Sequence, residues 1–200
     1  MRRIALWAGL AAVLVASLAA ANEIEVRDVA LRTVEEGLVL DADFEFELTP
    51  RLAEVVSSGV PLYFRVDFEL TRRRWYWFDD TASSRRLQLR LSYHALSRQY
   101  RLSTGLLHQN FTTLNEALNV LKRVRNWLVV ERTVTFADAD YEAAVRMRLD
   151  AALLPKPFQL SALTSRELQL ESSWRRFMVR SPQQLPAPVE SREPGGTGGR

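Results

Sequence analysis

The stretch PLYFRVDFELTRRRWYWFDD, from Pro61 to Asp80, decides the fold of this chain. Its first half alternates between mostly polar side chains and the apolar residues Leu62, Phe64, Val66, Phe68 and Leu70. Because successive side chains of a strand point to opposite faces of a sheet, this alternation predicts a long strand with one buried face. The other face, which includes Arg65 and Asp67, is predicted to meet solvent.

Similar alternation recurs on both sides of this strand. Residues 24–48 predict a β-hairpin that turns at Gly37, with a bulge near Arg27 and Asp28 where the pattern slips by one residue. A loop is predicted from Asp79 to Ser84. Further strands are predicted at 87–93, 100–102, 127–136, 141–151 and 166–179, with a helix over 161–178 as the alternative to the last.

Two short helices interrupt the strands. Thr49 and Pro50 form a helix start, with threonine as the N-cap and proline at the first helical position. Thr112 or Thr113 caps the second helix, and Glu116 lies in its first turn. The pattern as a whole predicts a mainly β (α+β) protein, an antiparallel β sandwich or open barrel with two short helices packed on it.

The two ends of the chain differ in composition from its centre. Residues 1–21 have two arginines, an apolar run and a small-residue Ala19-Ala20-Ala21 site, which predicts a signal peptide cleaved near Ala21 and a periplasmic protein. An uncleaved anchor is the alternative. Residues 22–180 form a single β-rich domain, and 181–200 a disordered tail rich in proline and glycine.

The net charge gives no indication of a nucleic-acid partner. Without Arg2 and Arg3 the chain has 25 basic and 24 acidic residues, a balance of +1 with histidine neutral. A charge this small provides no attractive field for a polyanion. The chain has no cysteine, so the domain depends on its hydrophobic core rather than on disulfides.

The sequence offers little for catalysis or for a cofactor. The only histidines are His94 and His108, no nucleophile motif is present, and no glycine-rich loop could hold a nucleotide. We therefore expect no enzyme, no cofactor and no metal. The acidic stripe of β-strand residues is interpreted as a solvated face paired with Arg65, Arg86 or Arg90 rather than as a calcium site; its members are Asp41, Asp43, Glu45 and Glu47.

The end of the long strand is the candidate interaction surface. Arginine beside tryptophan is the composition of protein-binding hot spots, and it also suits stacking on a sugar ring. The alternative is that these aromatics close one end of the core with arginines stacked on them. The residues of this predicted surface are Arg72, Arg73, Arg74, Trp75, Trp77 and Asp79.

Several motifs together resemble one known family. They are the L-T-P helix start at 48–50, R-R-x-W-Y-W-F from Arg72, Y-x-x-x-V-R-x-R-L-D from Tyr141, the L-P-K-P turn and S-x-W at Ser172. This set resembles the DUF4390 family over residues 22–180. The resemblance implies export in a Gram-negative bacterium, no assigned activity, and a gene often found beside a membrane sensor kinase.

Two functions are compatible with these observations. The first is a periplasmic module that binds an envelope or inner-membrane protein, such as the outer domain of a sensor kinase. The second is a carrier that binds a lipid or a glycan in a pocket of the sandwich or barrel. The sequence does not indicate the oligomeric state.

Overall fold

The computed structural model describes residues 23–72, 80–134, 136, 139–159 and 168–180. Strands account for most of this part of the chain, and the helices are short, so the predicted fold class is confirmed. The elements in order are β1 (Glu25–Val34), β2 (Gly37–Glu45), α1 (Pro50–Ser57), β3 (Leu62–Arg72), β4 (Asp80–His94), β5 (Gln99–Thr104), β6 (Leu107–Phe111), α2 (Leu114–Leu121), β7 (Arg123–Glu131), β8 (Asp140–Leu149), a 3₁₀ turn (Ala151–Leu153) and β9 (Arg175–Arg180).

The strands form two antiparallel sheets. The smaller has the order β1-β2-β7, and the larger has the order β6-β5-β4-β3-β8-β9. Within the described residues each sheet keeps two edge strands, so neither closes into a barrel. The two sheets are consistent with the predicted β sandwich.

Strand β3 is the centre of the core, as its alternation predicts. It pairs with β4 on one side and β8 on the other, and its five apolar inward side chains, from Leu62 to Leu70, are fully buried. Phe64 stacks on Phe46 at the end of β2, with 5.6 Å between ring centroids. Phe68 meets the edge of Trp127 on β7 at 6.4 Å. These aromatic pairs join the two sheets face to face.

Both helices begin where the sequence indicates. The hydroxyl of Thr49 accepts a hydrogen bond from the amide of Leu52, and Pro50 opens α1. Thr113, rather than Thr112, caps α2 and forms a reciprocal capping box with Glu116. Each helix buries one apolar stripe against the sheets, consisting of Leu52, Val55 and Val56 in α1 and of Ala117, Leu118 and Leu121 in α2.

The first hairpin also follows the predicted pattern. β1 and β2 pair with a register shift between Val26 and Asp28, which is the predicted bulge. Gly37 follows the turn with a φ of 145°, and a Cβ at this position would lie 2.0 Å from the carbonyl oxygen of Val130. Glycine is therefore required here because β7 approaches β2 too closely for a side chain.

Three local predictions were wrong. The segment predicted as a loop up to Ser84 belongs to β4, which begins at Asp80. Strand β6 was missed because it is exposed along most of its length. It has no buried face and therefore no alternation of apolar and polar residues. Asp67, predicted to meet solvent, is only 6% exposed, because arginines from neighbouring strands cover it.

The last predicted strand is shorter than expected. β9 spans Arg175–Arg180 and pairs with β8, so this part is strand and not helix. The segment from Glu171 to Trp174 forms no continuous strand, and Glu171 alone makes isolated bridges, one to Arg148 on β8 and one to Glu23.

Candidate functional site

The predicted surface at the end of β3 is described only at its first residue. Arg72 ends β3, is half-buried and lies in register with Asp80 and with Tyr141, a buried residue of β8. The other members of the predicted surface, Arg73, Arg74, Trp75, Trp77 and Asp79, lie outside the described residues. That surface therefore stays a prediction.

A different concentration of arginines lies on the outer face of the six-stranded sheet. Directly paired residues of neighbouring strands share a face, and Asp67 pairs with Arg86 on β4 and with Arg146 on β8. Arg65, two residues before Asp67, pairs with Arg148. We call this surface the arginine face, and its basic members are Arg65, Arg86, Arg90, Arg146, Arg148 and Arg176.

One carboxylate lies at the centre of this face. The Nε atoms of Arg65 and Arg146 are each 3.1 Å from an oxygen of Asp67, and the Nε of Arg148 is at 3.3 Å. The Nε of Arg86 is at 3.7 Å. Four guanidinium groups from three strands thus surround one carboxylate.

These contacts are not all hydrogen bonds. Arg146 donates from Nε to Asp67, whereas the buried Nε–H groups of Arg65 and Arg148 are near Asp67 but find no acceptor in hydrogen-bond geometry among the described residues. Arg65 also donates weakly from Nη1 to Asp150 at 3.5 Å. Asp67 therefore balances the charge of the cluster without satisfying all of its donors.

The cluster is partly removed from water. The side chain of Asp67 is 9% exposed, and those of Arg65, Arg146 and Arg148 are 22%, 26% and 31% exposed, whereas Arg86 is 72% exposed. Electrostatic interactions are stronger where solvent screening is reduced. The cluster therefore attracts a docking anion more strongly than the same charge would if it were fully hydrated.

Aromatic rings border the arginine face on two sides. The guanidinium of Arg146 lies 4.4 Å from the centroid of the Trp174 ring, and that of Arg90 lies 5.8 Å from the Tyr63 ring. Stacking on an aromatic ring holds a guanidinium in place while its edge remains available for hydrogen bonds. Tryptophan and arginine thus occur together on this face.

The named residues of the arginine face have a net positive charge. Six arginines lie with four carboxylates, so these ten residues have a balance of +2. The carboxylates are Asp67, Glu69, Glu142 and Asp150. Glu142 is 3.7 Å from Arg176, which leaves the surplus concentrated around Asp67.

An acidic cleft lies beside the arginine face. It has a volume of about 660 Å³ and is formed by the start of β1, the end of β2 and the segment before β9. Trp174 lines this cleft as well as stacking on Arg146, so the two surfaces are adjacent. The carboxylates of the cleft are Glu23, Glu25, Glu45 and Glu47.

The acidic stripe of β2 is paired with basic side chains, as a solvated strand face would be. Its partners are Arg32 for Asp41, Arg125 for Asp43 and Lys122 for Glu45. The predicted partners, Arg65, Arg86 and Arg90, were wrong because they belong to the other sheet. The described residues contain no group of acidic, histidine or cysteine side chains that could hold a metal ion.

The hydrogen bond from Arg32 at 2.7 Å holds the pKa of Asp41 below its usual range, and the amide of Asn126 contributes at 2.8 Å. Asp41 thereby links β1, β2 and β7. Similarly, the hydrogen bond from Lys122 lowers the pKa of Glu45.

We expect Asp41→Asn to lower the urea midpoint of unfolding at neutral pH and to have little effect in acid. Because the pKa is lower in the folded state, the contribution of Asp41 is fully present above the unfolded pKa of about 4 and is lost as pH falls through the folded value. Urea unfolding of both proteins from pH 7 to pH 3 measures this convergence. A difference between the two urea midpoints that stays constant with pH would contradict this prediction. The control is Glu47→Gln, because Glu47 is an exposed carboxylate with no ion pair among the described residues.

The two histidines do not form a common site. His94 is exposed at the end of β4 in register with Gln99, and His108 is exposed on β6 in register with Ser103. Most of the length of β5 separates these positions. Among the helices that the structure describes, none is long and apolar enough to span a membrane.

Sequence reasoning missed the arginine face. The sequence contains Arg65-x-Asp67 on β3 and Arg146-x-Arg148 on β8, but each pattern by itself resembles the solvent-exposed face of an ordinary strand. Only the register between β3, β4 and β8 shows that these residues meet.

Comparison with known proteins gives one match. The family described as Domain of unknown function (DUF4390) matches residues 21–178. This agrees with the resemblance found in the motifs. No curated protein and no solved structure matches the chain.

Proposed function

The chain belongs to the DUF4390 family, and from this premise we propose that it is an exported, non-enzymatic module that binds an envelope or inner-membrane protein through its arginine face. The outer domain of a sensor kinase is one such protein. The observation that carries the proposal is the group of four guanidiniums around Asp67, three of them partly buried, with Trp174 stacked on one of them.

The composition of this surface supports a protein partner. Arginine, tryptophan and tyrosine are the residues that contribute most to binding energy in protein interfaces. Here the arginines and Tyr63 lie on a regular sheet face with Trp174 at its border, and Asp67 and aromatic stacking restrict the arginines, so less side-chain entropy is lost when a partner docks. A broad sheet face of this kind suits a protein surface better than a small substrate.

Export supports a partner in the cell envelope. Residues 1–21 have the pattern of a signal peptide, which would deliver the domain to the periplasm. Partners available there include the outer domains of inner-membrane proteins. The candidate surface at Arg72–Asp79 would be a second contact of the same kind.

The test is in-cell photo-crosslinking from Gln88, which is exposed on β4 in register with Arg65. A photoreactive residue at this position should give one discrete adduct with an envelope protein, identified by mass spectrometry. Asn119, exposed on α2 away from the arginine face, is the matched control position. Absence of a protein adduct from Gln88, or the same adducts from both positions, would contradict the proposal.

The acidic cleft supports the alternative of glycan binding. Its tryptophan and glutamates combine a stacking surface with hydrogen-bond acceptors for sugar hydroxyls. A second probe at Ser173, which is exposed and lines the cleft, addresses this alternative. Adducts with glycan or lipid there, without a protein adduct from Gln88, would favour a carrier over a protein-binding module.

A further inference from the structure

We infer that the arginine face recognises an acidic protein segment, and that side-chain carboxylates of this segment bind the terminal nitrogens of Arg86, Arg146 and Arg148 beside Asp67. This inference rests on the proposed function and adds the chemistry of the partner. It is carried by N–H donors that find no protein acceptor among the described residues.

The unused donors are on the terminal nitrogens of three arginines. A guanidinium has five N–H groups, and the contact of Arg86, Arg146 and Arg148 with Asp67 is in each case made by Nε. Among the described residues, no oxygen accepts a hydrogen bond from their Nη atoms. Arg65 differs, since its Nη1 is directed to Asp150.

These donors are already held in place. Asp67 hydrogen-bonds to Arg146, whose guanidinium also stacks on Trp174, and the charge of Asp67 attracts Arg65, Arg86 and Arg148. The planar fork of an arginine matches the two oxygens of a carboxylate, so binding can be bidentate. With four arginines and two aspartates, the cluster has a local charge of +2, which two carboxylates would neutralise.

The spacing of the arginines favours an extended segment over a single small anion. Arg86 and Arg146 lie in one row on either side of β3, and Arg148 lies in the next row. Neighbouring strands are about 4.8 Å apart and neighbouring rows about 7 Å apart, so the positive charge is spread over three strands. Several anionic groups on one chain can meet it at once.

The burial of the arginines favours a protein over an anionic membrane. Membrane-surface binding relies on well-exposed basic side chains and on apolar residues that enter the headgroup region. On the arginine face only Arg86, Arg90 and Arg176 are exposed, whereas Arg146 and Arg148 are about one quarter to one third exposed. Of the described apolar residues that β8 and β9 place on this face, Met178 is the large exposed one.

The experiment is calorimetric titration of the full chain with a short peptide of alternating glutamate and serine. We expect saturable binding that Arg86→Gln with Arg148→Gln weakens about tenfold. This pair leaves Arg65 and Arg146 on Asp67, so the fold should be retained, and unchanged circular dichroism verifies it. Arg27→Gln with Arg51→Gln, at two exposed arginines outside the face, removes the same charge and should leave binding unchanged.

A second variant tests the geometry of recognition. Arg86→Lys with Arg148→Lys keeps the charge and removes the bidentate fork, so we expect it to bind the peptide more weakly than the natural chain. Full affinity in this lysine variant would overturn carboxylate recognition by the fork. Equal weakening by the control pair would show that only the overall charge matters, which also overturns the inference.

Two further probes separate the alternative anions. Binding of inorganic phosphate or of phosphatidylglycerol vesicles that depends on Arg86 and Arg148, without binding of the peptide, would overturn the inference in favour of a phosphate group.

Crosslinking in cells separates the inference from the proposed function. If Gln88 gives its protein adduct but Arg86→Gln with Arg148→Gln leaves that adduct unchanged, the proposed function stands and the inference fails. If Gln88 gives no protein adduct, the proposed function itself fails.

Discussion

Replacing Phe68 by alanine should lower the free energy of unfolding by about 4 kcal/mol, because it removes a large side chain from the centre of the core. Phe68 is fully buried on β3 and contacts the edge of Trp127 on the opposite sheet. The substitution therefore leaves a cavity between the sheets and removes an aromatic contact as well. Urea unfolding monitored by circular dichroism measures the loss.

Phe177→Ala is the matched control for this prediction. Phe177 lies on the edge strand β9 and is only half-buried, so its truncation should cost clearly less. The same change at two phenylalanines thus tests whether the contact between the sheets is central to stability. Equal losses would show that the interface at Phe68 is more loosely packed than its burial indicates.

Asp67→Asn should destabilise the protein by about 3 kcal/mol, although the two side chains have nearly the same shape. The substitution removes the negative charge that Arg65, Arg146 and Arg148 share, and it leaves Asp150 beside Arg65 alone. Each of these three arginine side chains is less than one third exposed. These three guanidiniums would then repel one another in a region where solvent screens them poorly. Guanidinium chloride contributes ions of its own, so urea unfolding at moderate ionic strength is the appropriate measurement.

Asp43→Asn is the control for Asp67→Asn. Asp43 forms an ion pair with Arg125, but both side chains are more than one third exposed. A surface pair of this kind contributes about 0–1 kcal/mol. If the two substitutions cost the same, water must hydrate the arginines around Asp67 freely, and the argument for a preorganised arginine face would fail.

Local patterns were sufficient to predict most elements of the fold. The alternation of β3 predicted its buried face residue by residue, because the period of a strand is a property of the backbone. Thr49 and Thr113 predicted the helix starts for the same reason, since a cap satisfies amides within the next turn.

Predictions failed where the environment of a residue depended on distant strands. The alternation correctly placed Asp67 on the outer face of the sheet. Its burial there comes from Arg146 and Arg148, which are about 80 positions further along the chain. The partners of Asp41 and Glu45 were wrong for a related reason, because the sequence does not indicate which sheet a strand joins. Strand β6 has no buried face, so its sequence lacks the apolar–polar alternation that would have predicted its pairing with β5.

The sequence by itself determined the alternation of most strands, the starts of both helices, the bulge of the first hairpin and the resemblance to the family. Each of these depends on interactions within a few residues or on motifs read directly. Only the tertiary structure decided the division into two sheets, the order β6-β5-β4-β3-β8-β9 and, with it, the arginine face. The physical reason is register: pairing in a sheet brings together side chains that are remote in the chain, and one carboxylate on β3 acquired four guanidinium neighbours only through that pairing.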